Sequence, residues 1–350
     1  MQDVPPKKTP SDLKHAHGLV AHLMKPSARI YWLDLLLSSG LGWTSLYFGT
    51  QTQSQPVTCV AFVLAVLSLY RALMFVHELT HLNRSSLPGF RWGWNILIGI
   101  PLMVPSFMYI GVHKDHHNPR VFGTKQDPEY HPMSGSWLKI ILFMLVSTVT
   151  VPLLCLRFAV LGPLSFLFPA LRRLTVERCS ALCINPEYRR EAPKKEREQK
   201  EWVVLETATG FWVWSIVMNW IMGTISTSAI YFAMSVLGTV AILNQGRTVL
   251  AHRFDNHDHH KLSVEEQLLD SINYPLPSFL AELWAPLGLR YHGLHHWLPG
   301  LPYHSLAEAH QILVETLPQE SVYHQASSSG PKETISVMVR DEGPNRIKPS

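Results

Sequence analysis

Cysteine and charge are both scarce in this chain of 350 residues. Its four cysteines, Cys59, Cys155, Cys179 and Cys183, make no disulfide framework and fit a reducing compartment. Cys179 and Cys183 would share a helical face, a spacing that packing or chance explains better than chemistry does. Charged residues are 16% of the chain and the formal net charge is only +4, with the basic residues gathered beside apolar segments. That distribution argues against a nucleic-acid surface. The first 29 residues are polar and rich in Lys and His, so no cleavable signal peptide is expected. No internal repeat is present.

Long apolar runs are what the chain has in quantity. Ile30 to Phe48, Val57 to Val76, Phe211 to Ile225 and Ala229 to Leu243 can each enter a hydrocarbon core of roughly 30 Å. The expected fold class is therefore an all-α polytopic membrane protein with about four transmembrane helices. The connections Thr50–Gln55 and Gly223–Ser228 lack Lys and Arg, while residues 1–29 and 172–202 are rich in them. The positive-inside rule then puts the N-terminal arm (1–29) and the central segment in the cytoplasm. Two further apolar stretches carry internal prolines, 95–112 with Pro101 and Pro105, and 137–171 with Pro152 and Pro163. Their ends are expected on one face of the membrane, as half-depth, re-entrant or surface-lying segments. Residues 30–320 form the membrane domain on this reading, and 321–350, Ser- and Gly-rich from Ser327 on, form a disordered tail. Ser263 and Glu266 stand in capping-box register at a helix start.

At the end of the second run stands "MFVHELTHLN", with His77-Glu78-Leu79-Thr80-His81. This is the spelling of zinc peptidases, in which two histidines bind metal and the glutamate is the general base. Two further groups recur at helical spacing: His113, His116 and His117 in "HKDHH", and His292, His295 and His296 in "HGLHH". Residues at i, i+3 and i+4 share a helix face. His252 follows the last span in "GRTVLAHRF". One catalytic zinc takes three protein ligands and an open position. Eight or nine imidazoles suit two metal ions instead, and imidazole alone does not choose the element.

The three groups on a polytopic scaffold resemble the histidine boxes of the membrane fatty acid desaturase and hydroxylase superfamily. The stretch "ELWAPLGLRYHGLHHWLPGLPYH" resembles its bacterial members. That resemblance implies a non-haem di-iron oxidoreductase that uses two ferrous ions and O2, with His77, His81, His113, His116, His117, His292, His295 and His296 as metal ligands. His252 matches a ninth histidine of acyl-CoA desaturases. Those enzymes have an asparagine four residues before it, and here the position is Thr248. The resemblance makes Glu78 a structural or imidazole-orienting carboxylate rather than a base, and on a helix it points about 100° away from His77. Asp127 and Glu129 are candidates to orient imidazoles.

The expected reaction is desaturation of a fatty acyl chain at the bilayer. Alternatives are oxidative decarboxylation of a free fatty acid to a terminal alkene, hydroxylation, and, outside enzymes, metal transport. The box N-Y-x-E-H of alkane hydroxylases is absent, and transporter ligands belong near the midplane rather than at span ends. A fused cytochrome b5 motif H-P-G-G is also lacking, so electrons are expected from a separate carrier such as ferredoxin with its reductase. The resemblance places the enzyme in a bacterial inner membrane with its metals on the cytoplasmic side. Arg71, six residues before His77, is a candidate for a substrate carboxylate, since intramembrane arginines are usually functional; snorkelling to the interface explains it equally. Lys114, Arg120, Arg247, Arg253 and Arg290 are candidates for an acidic headgroup. His257, His259 and His260 read as a solvated loop, and His304 and His310 lie near the third box in sequence.

Overall fold

The computed structural model describes residues 11–275 and 279–340. Residues 1–10 of the expected arm and 341–350 of the expected tail lie outside them. The described residues are helical, with isolated bridges and no sheet.

Helix α1 (Ser11–Val20) buries Ala16 and Val20 in a cluster with Leu306, Ala309 and Leu313, so this part of the arm is docked there. Helices α2 (Ala28–Gln51) and α3 (Gln55–His81) form an antiparallel hairpin. Gly42 permits it, because a Cβ there would stand 2.7 Å from the Leu69 side chain. From Leu69 to Leu79 most of α3 is buried, which fixes the first histidine pair in the core.

The chain then dips and returns. Helix α4 (Phe90–Trp94) runs into a π-turn at Asn95–Gly99, and a 3-10 turn at Ser106–Met108 leads to α5 (Val112–His116). Asn95 closes the dip: Ser106 N–H donates to its Oδ1 at 2.8 Å, and its Nδ2 donates to Ser106 Oγ at 2.9 Å. Both ends therefore meet at one layer, with the His77 and His113 rings 4.5 Å apart. The expectation for 95–112 follows this course.

Residues 137–179 differ in form from the expectation. Helix α6 (Trp137–Leu156) continues through a π-turn into α7 (Gly162–Leu167), a helix of 31 residues that is long and apolar enough to cross a membrane. Pro152 is accommodated inside it rather than ending it. Helix α8 (Pro169–Cys179) then turns back. One end of the excursion is tied by Met133 N–H to Phe254 O, the other by Leu182 N–H to Met108 O and Ile184 N–H to Pro128 O. The segment leaves from and returns to the layer of the second histidine group.

Helices α9 (Glu196–Ile221) and α10 (Thr227–Ala251) are joined through Gly223, at φ +76°; α10 packs against α6, α3 and α2, and α9 against α7 and the π-turn before it. Among the described residues three helices are long and apolar enough to span: α3, the α6–α7 helix and α10. This differs from the expected four. The Ser, Thr and Gly content of α2 and the acidic first half of α9 dilute their apolar character, and α9 stops at Ile221 rather than Ile225. Exposed Leu37, Leu142, Leu153, Phe211 and Tyr231 give the long helices an apolar exterior suited to lipid.

The remaining helices, α11 (Val264–Asp270), α12 (Phe279–Trp284), α13 (His292–Trp297), α14 (Leu306–Thr316) and α15 (Pro331–Val339), cover the histidine end. The capping box at Ser263 and Glu266 is formed. The expected disorder does not hold for 322–340. Met338 is buried beside Phe254 and Leu262, and Tyr274 donates to Thr334 at 2.8 Å. Ser328 and Ser329, read as tail composition, donate to Glu333 in the first turn of α15.

Candidate metal centre

Two groups of histidines converge where α3, α5, α10 and α13 meet. His77, His81, His113, His117 and His295 form one; His116, His252, His292 and His296 form the other, with donor atoms in each group within 4.8 Å of one another. Helix α3 presents His77 and His81 one turn apart. Box two divides: His113 and His117 face the first group and His116 the second. Box three divides likewise, His295 to the first and His292 and His296 to the second. The nine nominated histidines thus come together, and the i, i+3, i+4 spacing serves two sites from one short helix.

The geometry fits metal ions at both places. His295 Nε2 lies 3.1 Å from His81 Nε2 and 3.1 Å from His117 Nε2, and His117 Nε2 lies 3.0 Å from His113 Nε2. In the second group His292 Nε2 is 2.9 Å from His252 Nε2 and 3.1 Å from His296 Nε2. His113 Nδ1 is 2.9 Å from Glu129 Oε1, and His116 Nδ1 is 2.9 Å from Asp127 Oδ1. Each of those carboxylates accepts the Nδ1 proton, which leaves Nε2 a lone pair. Lone pairs aimed at one another repel unless a cation sits between them. Ligands at right angles around a metal with bonds of about 2.1 Å are themselves about 3.0 Å apart, which matches this spacing. Both ring nitrogens of His77 are buried without a hydrogen-bond partner among the described residues, and a metal ion at one of them would satisfy it. Burial and neighbouring imidazoles hold His113, His117, His292, His295 and His296 well below the ordinary imidazole value, in the neutral form that binds metals. For His116, burial is outweighed by Asp127, and its value is raised.

Carboxylates brace the histidines from behind. Asp127, fully buried, also accepts from Gly123 N–H at 2.8 Å and Glu129 N–H at 2.9 Å. Burial pushes the Glu129 carboxyl up to about 7, and Tyr109 donates to it at 3.2 Å. Asp270, not singled out in the sequence, lies 3.2 Å from His252 Nδ1 and accepts from Tyr130 at 2.9 Å. Asn273 is a second unforeseen contributor: its Oδ1 accepts from Leu294 N–H at 2.9 Å and so seats α13. Gly293 leaves it room, because a Cβ there would stand 3.1 Å from the Asn273 amide. Neither residue has a local spacing to its histidines, so the sequence offered no signal for them.

The other nominated residues sit elsewhere. Glu78 Oε2 accepts hydrogen bonds from the Tyr31 hydroxyl and, at 3.2 Å, from Tyr303 N–H, while its Oε1 lies 3.7 Å from His77 Nδ1 and meets none of the Nε2 atoms of the two groups. Arg71 is bound to Asp34, its Nη2 2.6 Å from Oδ2, and lies 3.5 Å from Glu282. Tyr303 also donates to Asp34, at 2.8 Å. His304 accepts from Ser27 N–H, and His310 pairs with the Tyr323 hydroxyl. His257, His259 and His260 join neither group.

A cavity of about 330 Å³ opens against His77 between α3, α6 and α10. Leu73, Val76, Val104, Val151, Leu154, Leu237 and Val240 give it apolar walls, while Tyr109, Glu129, Asn244, Gln245, Arg247 and Thr248 gather its polar side. On the opposite face, His81 and His117 line a separate, wider cleft bordered by Arg84, Lys114 and Arg197.

Paired imidazole groups at the ends of apolar helices, braced by carboxylates and met by an apolar cavity, are what a metal-binding membrane enzyme requires. Residues 54–328 match the family model described as fatty acid desaturase, and the chain belongs to that family. It is 44% identical to a ceramide hydroxylase of Caulobacter vibrioides (strain NA1000 / CB15N) over 337 residues, 95% of each chain.

Proposed function

We propose that this protein hydroxylates an N-acylated long-chain-base lipid of the ceramide type. The observation that carries the reading is the cavity with apolar walls and a polar side that ends on His77. The similarity to a ceramide hydroxylase along nearly the whole chain supplies the reaction and headgroup class. Desaturation, the expectation from the sequence, yields to hydroxylation on that ground.

His77, His81, His113, His117 and His295 would hold one iron ion, and His116, His252, His292 and His296 the other. Bound iron supplies activation of O2, so that with two electrons and two protons one oxygen atom enters a C–H bond and the other leaves as water. The chain's own residues do the rest. Asp127, Glu129 and Asp270 keep the imidazoles in the tautomer that presents Nε2. The apolar walls align the hydrocarbon and exclude water, which keeps the reaction on the bound lipid. Electrons arrive from a separate carrier, for which the cleft at His81 and His117, with exposed Lys114 and Arg197 at its border, offers an approach. The basic arm and central segment put this face in the cytoplasm.

Membranes from expressing cells, given ceramide and isotopically heavy O2, test the reading by mass spectrometry. Gain of one heavy oxygen atom is expected. Loss of two hydrogens without oxygen means desaturation, and a terminal alkene in the headspace means decarboxylation; either result refutes the proposal.

A further inference from the structure

Arg247, half-buried, differs from Arg71, Arg91, Arg157 and Arg190. Arg157 pairs with Glu206, Arg91 with Glu201 and Arg71 with Asp34. Arg190 spends its donors on Ser180 O and Ile110 O. Arg247 lines the lipid cavity with His77, and its Nη2 meets only neutral oxygens, Thr248 Oγ1 at 3.0 Å and Asn244 Oδ1 at 3.5 Å. Its Nε is buried with no hydrogen-bond partner among the described residues. Glu129 shares the cavity but forms no ion pair with Arg247; a guanidinium left without a direct ion pair beside a site built for cations is electrostatically costly, and a buried unmet donor adds to the cost. Both costs fall when an oxygen acceptor enters the cavity.

We propose that Arg247 is the substrate anchor: it donates to the amide carbonyl oxygen of the lipid and seats the polar headgroup beside the metals. This rests on the proposed function for the identity of the lipid. Thr248 and Asn244 aim the guanidinium, and the apolar walls take the chain away from it. Oxidation therefore falls within a few bonds of the amide rather than in mid-chain. Arg71, held by Asp34 outside this cavity, does not perform the task.

The test uses iron-loaded full-length protein in detergent, with N-octanoyl sphinganine, a neutral analogue in which an ether replaces the amide, and palmitate as probes. Binding is read from the lipid-induced rise in melting temperature, and iron content is measured in parallel. Arg247→Leu is expected to keep its iron and bind N-octanoyl sphinganine about tenfold to a hundredfold more weakly, the loss of a charge-assisted bond. The ether analogue should bind wild type as weakly and lose nothing further in the variant, because the two changes remove one interaction. Fragmentation of the wild-type product should place the new oxygen close to the amide. Equal binding of N-octanoyl sphinganine by wild type and Arg247→Leu, or a hydroxyl in mid-chain, overturns the proposal. If the Leu variant does not accumulate, Arg247→Lys and Arg247→Gln make the same comparison, with Lys expected to bind more tightly than Gln. Palmitate bound in place of the sphinganine, with the same dependence on Arg247, retires the ceramide reading and keeps the anchor. Ceramide oxidised with no dependence on Arg247 retires the anchor alone.

Discussion

Asp127→Asn is nearly isosteric, yet the structure predicts that it is costly. The carboxylate serves three donors: the His116 Nδ1 proton, 2.9 and 3.0 Å from its two oxygens, Gly123 N–H at 2.8 Å and Glu129 N–H at 2.9 Å. The backbone donors approach opposite oxygens, so an amide of either orientation turns its NH2 against one of them. A buried donor left unmet costs about 1–3 kcal/mol, and loss of the charged acceptor for His116 removes a bond of about 1.5–3 kcal/mol. The first cost falls on metal-free and metal-loaded protein alike. The second falls mainly on metal binding, because His116 is no longer held to present Nε2, and ten- to hundredfold weaker affinity is expected. Melting in detergent with and without iron separates the two, and elemental analysis after limiting iron supply reads the affinity. Wild-type melting in both forms together with wild-type iron content would refute the reasoning.

Glu78→Gln should keep iron and measurable oxidation, since Glu78 is bound to Tyr31 and Tyr303 and stands behind His77, 3.7 Å from its Nδ1, rather than among the converging Nε2 atoms; total loss of turnover at full iron occupancy would restore it as a base. Met338→Ala should lower stability by about 2–5 kcal/mol, as for a core methionine, and an unchanged melting temperature would return 331–339 to the status of a tail. Asn95→Ala removes both bonds to Ser106 at a fully buried site; it should destabilise by about 1–3 kcal/mol or more, and limited proteolysis should cut first within 95–106.

The metal centre was legible because its signal is local. Histidines at i, i+3 and i+4 declare a shared face even on helices as short as α5 and α13, five and six residues long. The return of 95–112 to its own layer followed from the need for His77 and His113 to meet. What stayed hidden depends on contacts between distant residues. Asp270 stands eighteen positions from the histidine it braces, and Asn273 reaches α13 across 21. The stretch 327–340 misled for a different reason: the composition that marks disorder also marks a helix start. Ser328 and Ser329 are tied to Glu333 of α15, while one methionine supplies the buried contact that anchors the segment.

Histidine boxes fix the oxidant but not the product, since desaturation, hydroxylation and decarboxylation all begin at a C–H bond and differ in what is held beside the metals. The place to look is therefore where this chain departs from its relatives' pattern, and it does so at Thr248, where acyl-CoA desaturases carry asparagine. Here Thr248 Oγ1 donates to Asn244 O at 2.9 Å and accepts from Arg247 at 3.0 Å, so its hydroxyl is committed to aiming a cation into the cavity. Thr248→Val keeps the shape and removes that acceptor. If the departure serves substrate rather than metal, this variant should retain iron and bind N-octanoyl sphinganine several-fold more weakly, with added products oxidised further along the chain. Loss of iron with unchanged lipid binding would show that Thr248 belongs to the metal centre, and the link between this position and the choice of product would fall with it.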